Sequence, residues 1–167
     1  MRLTAMLPLA LAALIAMPAP LHAEGEGHNY PEARSYEISL DATVAVGDAL
    51  TRAERRGTKL LLVMGANWCH DSRALAGWLE TPRFQALIAD HYELVFVDAG
   101  TPQQGEVRNL HIAQRFGIDE LPGTPNLFVV AADGTLLNAD SVTTWRNAAS
   151  RSEDEIFAEL EGFALQK

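Results

Sequence analysis

Cysteine is almost absent from this sequence: Cys69 is the only one among 167 residues. A single cysteine excludes a disulfide within the chain and leaves no second soft ligand for a structural zinc site. His28 likewise has no second ligand at useful spacing, so we expect no metal and treat it as a surface histidine. What remains is one thiol, which either reacts freely or pairs with another molecule.

Two other features are missing. There is no low-complexity tract, and basic residues are neither abundant nor clustered, with a net charge of −9. The first absence argues against bulk disorder, and the second argues against a nucleic-acid partner. The 48% hydrophobic content is enough for one domain with a real core.

A long apolar run occurs only at the N-terminus, where it has the layout of a secretory signal. Arg2 supplies the positive charge, residues 3–17 are apolar, and the segment ends at the small residue Ala23. A membrane anchor is the alternative, but the run is short for a bilayer span and contains Pro8. Cleavage after Ala23 predicts a periplasmic or secreted protein with no stable membrane span, in an oxidising compartment.

The mature chain is predicted to have a flexible or extended lead-in over residues 24–39 and a folded domain over 40–167. Asp41 should cap a first helix that Gly57 ends, with an apolar face formed by Val44, Ala45, Ala49, Leu50 and Ala53. Buried strands are expected at 59–64, 92–98 and 126–131, helices at 68–79, 82–91, 107–116 and from Ser152, and a hairpin partner strand at 135–137. This order predicts an α/β fold with a mixed central sheet covered by helices on both faces.

The segment Trp68-Cys69-His70-Asp71-Ser72 lies between a predicted buried strand and a predicted helix. Backbone N–H groups and the helix dipole at such a position stabilise a thiolate. A protonated His70 would add to this effect and Asp71 would oppose it, although His70 is equally well interpreted as an exposed helix residue. Cys69 could instead be a small buried apolar residue.

This motif, together with Gly123-Thr124-Pro125-Asn126, resembles the thioredoxin-like superfamily over residues 40–165. The resemblance implies a three-layer thioredoxin-like sandwich. It also implies that Pro125 is a cis-proline beside Cys69, that the Thr124 backbone is exposed to pair with a substrate strand, and that Trp68 lies at the rim of the site.

Two positions depart from the family pattern: Ser72 replaces the second cysteine, and Val63 replaces a buried acid. A hydroxyl cannot resolve a mixed disulfide, so the departures predict monothiol exchange through Cys69, with Ser72 able to donate a hydrogen bond to its thiolate. We expect no cofactor, and expect partners among exported thiol- or disulfide-bearing proteins, with glutathione as a further candidate. The alternative is a redox-inactive module that binds an extended peptide around Trp68 and Pro125.

Overall fold

The computed structural model describes residues 29–166. The predicted signal segment 1–23 and the first part of the lead-in, 24–28, lie outside the described residues. The helices are α1 Ala42–Arg56, α2 His70–Leu79, α3 Pro82–His91, α4 Leu110–Arg115 and α5 Glu153–Ala164, and the strands are β1 Lys59–Gly65, β2 Tyr92–Asp98, β3 Gly100–Thr101, β4 Glu106–Val107 and β5 Asn126–Val130. Short 3-10 helices cover Pro102–Gln104, Val142–Trp145 and Ala148–Ser150.

The central sheet has the strand order β2-β1-β5 and is mixed, as predicted. Strand β1 pairs in parallel with β2 and antiparallel with β5, so that Leu61 lies opposite Leu94 on one side and Val129 on the other. Strands β3 and β4 form a separate two-stranded ribbon that follows β2 directly. The ribbon therefore begins at the C-terminal end of β2. Because β1 is parallel to β2, the Cys69 motif that follows β1 lies at the same edge of the sheet.

Helices cover both faces of the sheet, which confirms the three-layer architecture. Leu61 and Val63 of β1 pack in a core cluster with residues of α2, α3 and α5. The alternating residues Leu60, Leu62 and Met64 pack in a second cluster with residues of α1 and α4. All five side chains are fully buried, and burial of each is worth about 1.5–3 kcal/mol. A continuous apolar strand is what a sheet buried on both faces requires.

Helix α1 begins and ends where the sequence predicts. The Asp41 carboxylate accepts a hydrogen bond from the Val44 backbone N–H at 3.1 Å, and Gly57 ends the helix in the left-handed region at φ 67°. The predicted apolar face is partly wrong, because Val44 is 57% exposed and Val46 is buried instead. A stripe that repeats every three to four residues from Ala42 passes through Val46 and misses Val44.

Two further elements differ from the predictions. The helix expected over 107–116 shortens to α4, because Val107 pairs with Gly100 in the β3–β4 ribbon. The strand expected at 135–137 reduces to one bridge between Val130 and Leu136. Beyond it, the Asn138 side chain replaces a strand backbone: it accepts from the Val129 N–H at 2.8 Å and donates to the Leu127 carbonyl at 2.9 Å.

Residues 29–37, here called the strap, run across α2 and reach the end of β1. The Ala33 N–H donates to the Arg73 carbonyl at 3.0 Å. Tyr36 and Asn67 exchange two hydrogen bonds, of 3.2 and 2.9 Å, and the Tyr36 ring is buried in the α2 core cluster. The strap therefore packs as part of the domain, next to the Cys69 motif. Among the helices of the described residues, none is long and apolar enough to cross a membrane.

Candidate active site

Cys69 lies at the junction that the sequence indicates, between the end of β1 and the start of α2. It is the N-cap residue of α2, with extended backbone angles, and the helix itself begins at His70. The thiol is free and 6% exposed. Its S–H donates to the Thr124 carbonyl oxygen, with an Sγ–O distance of 3.4 Å. The first turn of α2 thus starts directly at a thiol, where N–H groups and the helix dipole favour negative charge.

The Thr124–Pro125 peptide bond is cis, as the family resemblance implies. Pro125 directly precedes β5, and the Thr124 carbonyl faces Cys69. Thr124 as a whole is 2% exposed, which differs from the exposed backbone expected there. The side chains of Gln103 and Arg146 pack against Gly123, the residue before Thr124. A Cβ placed on Gly123 would lie 2.7 Å from Arg146 Cδ and 3.3 Å from Gln103 Nε2.

Ser72 is fully buried under the motif, one helical turn after Cys69. Among the described residues its Oγ has no hydrogen-bond partner, so the hydrogen bond to Cys69 that the sequence suggested is not made in this state. The Ser72 backbone carbonyl accepts a hydrogen bond from the Tyr36 hydroxyl at 3.0 Å. Burial raises the pKa of Tyr36, and the negative charge of a Cys69 thiolate adds to the effect.

His70 and Asp71 form a pair of their own at the start of α2. The His70 Nε2 atom lies 3.1 Å from Asp71 Oδ2, and the histidine side chain is mostly exposed while the aspartate is buried. The other carboxylate oxygen, Oδ1, accepts a hydrogen bond from the Ala149 N–H at 2.8 Å. Asp71 thus links α2 to the chain before α5. The His70 side chain is exposed and paired with Asp71, and its influence on the Cys69 thiol stays a prediction.

Arg73 is a charged neighbour of the motif that the sequence did not single out. Its guanidinium makes a two-pronged contact with Glu32 of the strap, at 3.0 and 3.3 Å, and donates to the Trp68 carbonyl at 3.0 Å. The hydrogen bond to Glu32 holds the pKa of Arg73 above its ordinary value, and a Cys69 thiolate raises it further. A fixed cation therefore stands within electrostatic range of the thiol.

Trp68 lies at the rim of the site, as predicted, and is half exposed. Its indole Nε1–H donates to the Gly100 carbonyl at 3.0 Å, which fixes the ring against the β3–β4 ribbon. A cleft of about 300 Å³ opens on this side, between the ribbon and the strap. Its lining comprises Arg34, Tyr36, Ile38, Asn67, Trp68, Asp98, Gly100, Thr101 and Arg108.

The fold therefore brings Trp68, Cys69, Ser72, Thr124 and Pro125 to one end of the sheet. Reasoning from the sequence assigned no role to Tyr36, Asn67 and Arg73, which hold the strap to this site. A signal for Tyr36 was available in the sequence, because an aromatic residue within a polar segment indicates a side chain that packs against the domain. Val63, at the position of the family's buried acid, is fully buried and belongs to the core cluster on the α2 side of the sheet. No group of three or more metal-ligating side chains comes together within residues 29–166.

This arrangement, a motif cysteine at a strand–helix junction beside a cis-proline, defines a thioredoxin-like protein. The chain belongs to the thioredoxin-like family, whose model matches residues 41–132. It is also similar to the crystal structure of a disulphide isomerase from Xylella fastidiosa Temecula1, with 34% sequence identity and a TM-score of 0.70. That match covers 78% of this chain and 96% of the other. No curated protein matches the chain.

Proposed function

We propose that this protein carries out thiol–disulfide exchange, using Cys69 alone as the reacting group. The observation that carries the proposal is the free Cys69 thiol at the start of α2, 3.4 Å from the Thr124 carbonyl and beside Pro125. The similarity to a disulphide isomerase supports the reaction class. Cys69 caps the N-terminus of α2 and Arg73 lies beside the motif, which are the surroundings in which reactive cysteines are found.

The proposed step is a nucleophilic displacement at sulfur. Cys69 gives its proton to solvent, and its thiolate attacks one sulfur of a partner disulfide. A bond forms between the two sulfurs while the partner's own S–S bond breaks, and the second partner sulfur leaves as a thiolate with the bonding electron pair. A thiol from outside, or a second thiol of the same partner, then attacks the mixed disulfide and frees Cys69.

The monothiol character of this cycle rests on Ser72. Its hydroxyl is buried at the position from which a second cysteine would attack, and a hydroxyl does not displace a thiolate from sulfur. Apolar packing around Val63 is consistent with this, since no buried second thiol has to be deprotonated. The mixed disulfide should therefore persist until it is attacked by a thiol from outside or by a second thiol of the partner.

The partners that fit this chemistry are exported proteins bearing thiols or disulfides, with glutathione as a further candidate. Export is inferred from the N-terminal segment that resembles a secretory signal, which places the mature protein in the periplasm or outside the cell. An oxidising compartment supplies disulfides for a lone thiol to exchange with.

Mass spectrometry of the folded protein tests the proposal. Treatment with the neutral disulfide bis(2-hydroxyethyl) disulfide should give one adduct, which an added thiol reverses and which Cys69→Ala abolishes. Ser72→Cys should shorten the lifetime of the adduct, because the new thiol can displace the bound group. Thr51→Cys is the matched control: it adds an exposed thiol on α1, across the sheet from α2, and should leave the Cys69 adduct unchanged.

The proposal is wrong if native protein forms no adduct while urea-unfolded protein does, since Cys69 would then be only a buried apolar residue.

A redox-inactive peptide-binding module is the second candidate, and the low exposure of Cys69 favours it. Such a module would hold an extended peptide around Trp68 and Pro125 without using the thiol. It should therefore bind an unfolded protein whose own cysteines have been reduced and alkylated, with equal affinity before and after Cys69→Ala. Exchange through Cys69 instead predicts reducible adducts that this substitution removes.

A further inference from the structure

The cleft beside Trp68 has a charge that contrasts with the rest of the molecule. Three charged side chains line it, Arg34, Arg108 and Asp98, which gives it an excess of one positive charge. The whole chain, by contrast, has a net charge of −9. A local cation excess on an acidic protein attracts anionic ligands to that place.

The two guanidinium groups are held in different ways. Arg108 donates to the buried Asp98 carboxylate at 2.7 Å, and the same carboxylate oxygen accepts from the Gly100 N–H at 3.2 Å. Arg34 is exposed and donates to the Asn67 carbonyl at 3.4 Å. Among the described residues no carboxylate pairs with Arg34, so its charge remains available to a ligand.

The remaining wall of the cleft combines the apolar side chains of Ile38 and Trp68 with polar ones such as Asn67 and Thr101. Ile38 is 67% exposed, the Trp68 ring is half exposed, and Trp68 directly precedes Cys69. Consecutive Cα atoms are about 3.8 Å apart, and a tripeptide spans roughly 10 Å. Arg34 contacts the carbonyl of Asn67, two residues before Cys69, so a ligand of about tripeptide length matches the stretch of chain between that arginine and the cysteine. The volume of about 300 Å³ is at the small end of known ligand sites, which range over roughly 300–1,000 Å³.

We propose that this cleft binds a short peptide thiol or disulfide that carries a carboxylate close to its sulfur, with Arg34 receiving the carboxylate. This inference rests on the proposed exchange at Cys69 and names its substrate class. The peptide's hydrocarbon part lies against Ile38 and Trp68, and its sulfur reaches Cys69. When a disulfide is bound, the Cys69 thiolate forms a bond to the nearer sulfur, the S–S bond of the ligand breaks, and its other half leaves as a thiolate. A bound thiol reacts in the opposite direction: as a thiolate it attacks the partner sulfur of a mixed disulfide already formed on Cys69, that S–S bond breaks, and Cys69 leaves as a thiolate.

Three small disulfides of different charge test the inference. Glutathione disulfide carries carboxylates, bis(2-hydroxyethyl) disulfide is neutral, and cystamine is cationic. Adduct formation at Cys69 is timed by mass spectrometry for the unsubstituted protein, Arg34→Gln and Arg55→Gln. Arg55 is an exposed arginine near the end of α1, the end from which the chain enters β1. Seven residues of β1 separate that end from the site, a distance of roughly 20 Å.

Arg34→Gln should slow the reaction with glutathione disulfide about two- to five-fold, the effect of one exposed ion pair. It should leave the neutral probe unchanged, and the difference should shrink in high salt. Arg55→Gln removes the same charge and should change nothing. Arg108 is the poorer target, because its loss would leave the buried Asp98 carboxylate unpaired. Equal rates for Arg34→Gln and Arg55→Gln with glutathione disulfide, or an equal loss with all three probes, would overturn the inference.

Failure of the exchange reaction itself gives a different result, because Cys69 would then react with none of the three disulfides. In that case, binding of S-methylglutathione, which cannot exchange, is followed by NMR shifts of the Trp68 indole N–H. Binding that Arg34→Gln weakens and Arg55→Gln does not would support the cleft as a site for acidic peptides. Absence of binding to the unsubstituted protein would overturn it.

Discussion

The strap lies directly against Gly77 of α2. A Cβ added there would lie 2.3 Å from the Pro31 carbonyl oxygen and 2.7 Å from the Glu32 nitrogen. Both are backbone atoms and cannot turn aside as a flexible side chain could. Gly77→Ala should therefore push the strap away from α2, although alanine is the better helix former.

The size of the effect follows from two opposing contributions. Alanine in a helix interior gains about 1 kcal/mol over glycine, whereas overpacking of a tight contact costs typically about 1–3 kcal/mol or more. Complete release of the strap sets the ceiling. It would break hydrogen bonds made by Ala33, the Tyr36 backbone N–H and the Tyr36 hydroxyl, each worth about 1 kcal/mol, and would expose a buried ring worth about 2–3 kcal/mol. We therefore expect Gly77→Ala to be about 1–3 kcal/mol less stable than a glycine-to-alanine change without a clash, which is a net loss of about 0–2 kcal/mol, with an upper limit of about 5.

Urea unfolding measures this loss, and hydrogen exchange at the Ala33 and Tyr36 amides reports whether the strap is released. Gly47→Ala in α1 and Gly162→Ala in α5 are matched controls, because a Cβ at either position meets no atom within 4 Å. Both should stabilise the protein by about 0.5–1 kcal/mol. The reasoning is refuted if Gly77→Ala is as stable as these controls and leaves both strap amides protected.

Three further predictions concern buried polar groups. Glu93→Gln should cost about 1–2 kcal/mol near neutral pH, because its carboxylate pairs with Arg52 and Arg56. Burial acts to raise the pKa of Glu93, but these hydrogen bonds outweigh it and lower the pKa below 4.5. Urea unfolding of the unsubstituted protein and Glu93→Gln at a series of pH values should therefore show their stability difference disappear as pH falls through that lowered pKa. A stability difference that stays constant with pH would contradict the prediction. Burial raises the pKa of Tyr36, so its contribution to stability should be complete below pH of about 10 and decline above it, and alkaline melting curves should show a smaller decline for Tyr36→Phe. Ser72→Ala should leave stability unchanged or raise it by up to about 1 kcal/mol, since its buried hydroxyl has no partner among the described residues; a clear loss on thermal melting would show that the hydroxyl is bonded.

Much of the fold follows from local sequence patterns. The buried strand over 59–64, the Asp41 and Gly57 helix boundaries and the start of the last helix at Ser152 are predicted from neighbouring residues, and all are present. Each of these depends on interactions within a few residues, which a sequence pattern can express. The helix expected from Val107 was wrong because Val107 pairs with Gly100, and pairing across a ribbon depends on the turn between the strands.

The residues of the candidate site divide in the same way. The sequence placed Cys69 between a strand and a helix, and the family motif associated it with Pro125, 56 positions later. The sequence did not indicate that Tyr36 anchors the strap or that Glu32 holds Arg73 beside the motif. Those contacts join segments about 30 to 40 residues apart. A periodic pattern in the sequence does not indicate which distant residue packs at a given position.

The sequence by itself determined the chemical capacity of this protein: one thiol, no resolving cysteine at Ser72, and a thioredoxin-like order of strands and helices. Residue identity settles these points, because a missing sulfur cannot be supplied by folding. Only the tertiary structure decided the surroundings of the thiol, including the Thr124 carbonyl at its sulfur, the strap over α2 and the arginine-lined cleft beside Trp68. These surroundings depend on how distant segments pack, and packing is a property of the folded chain as a whole.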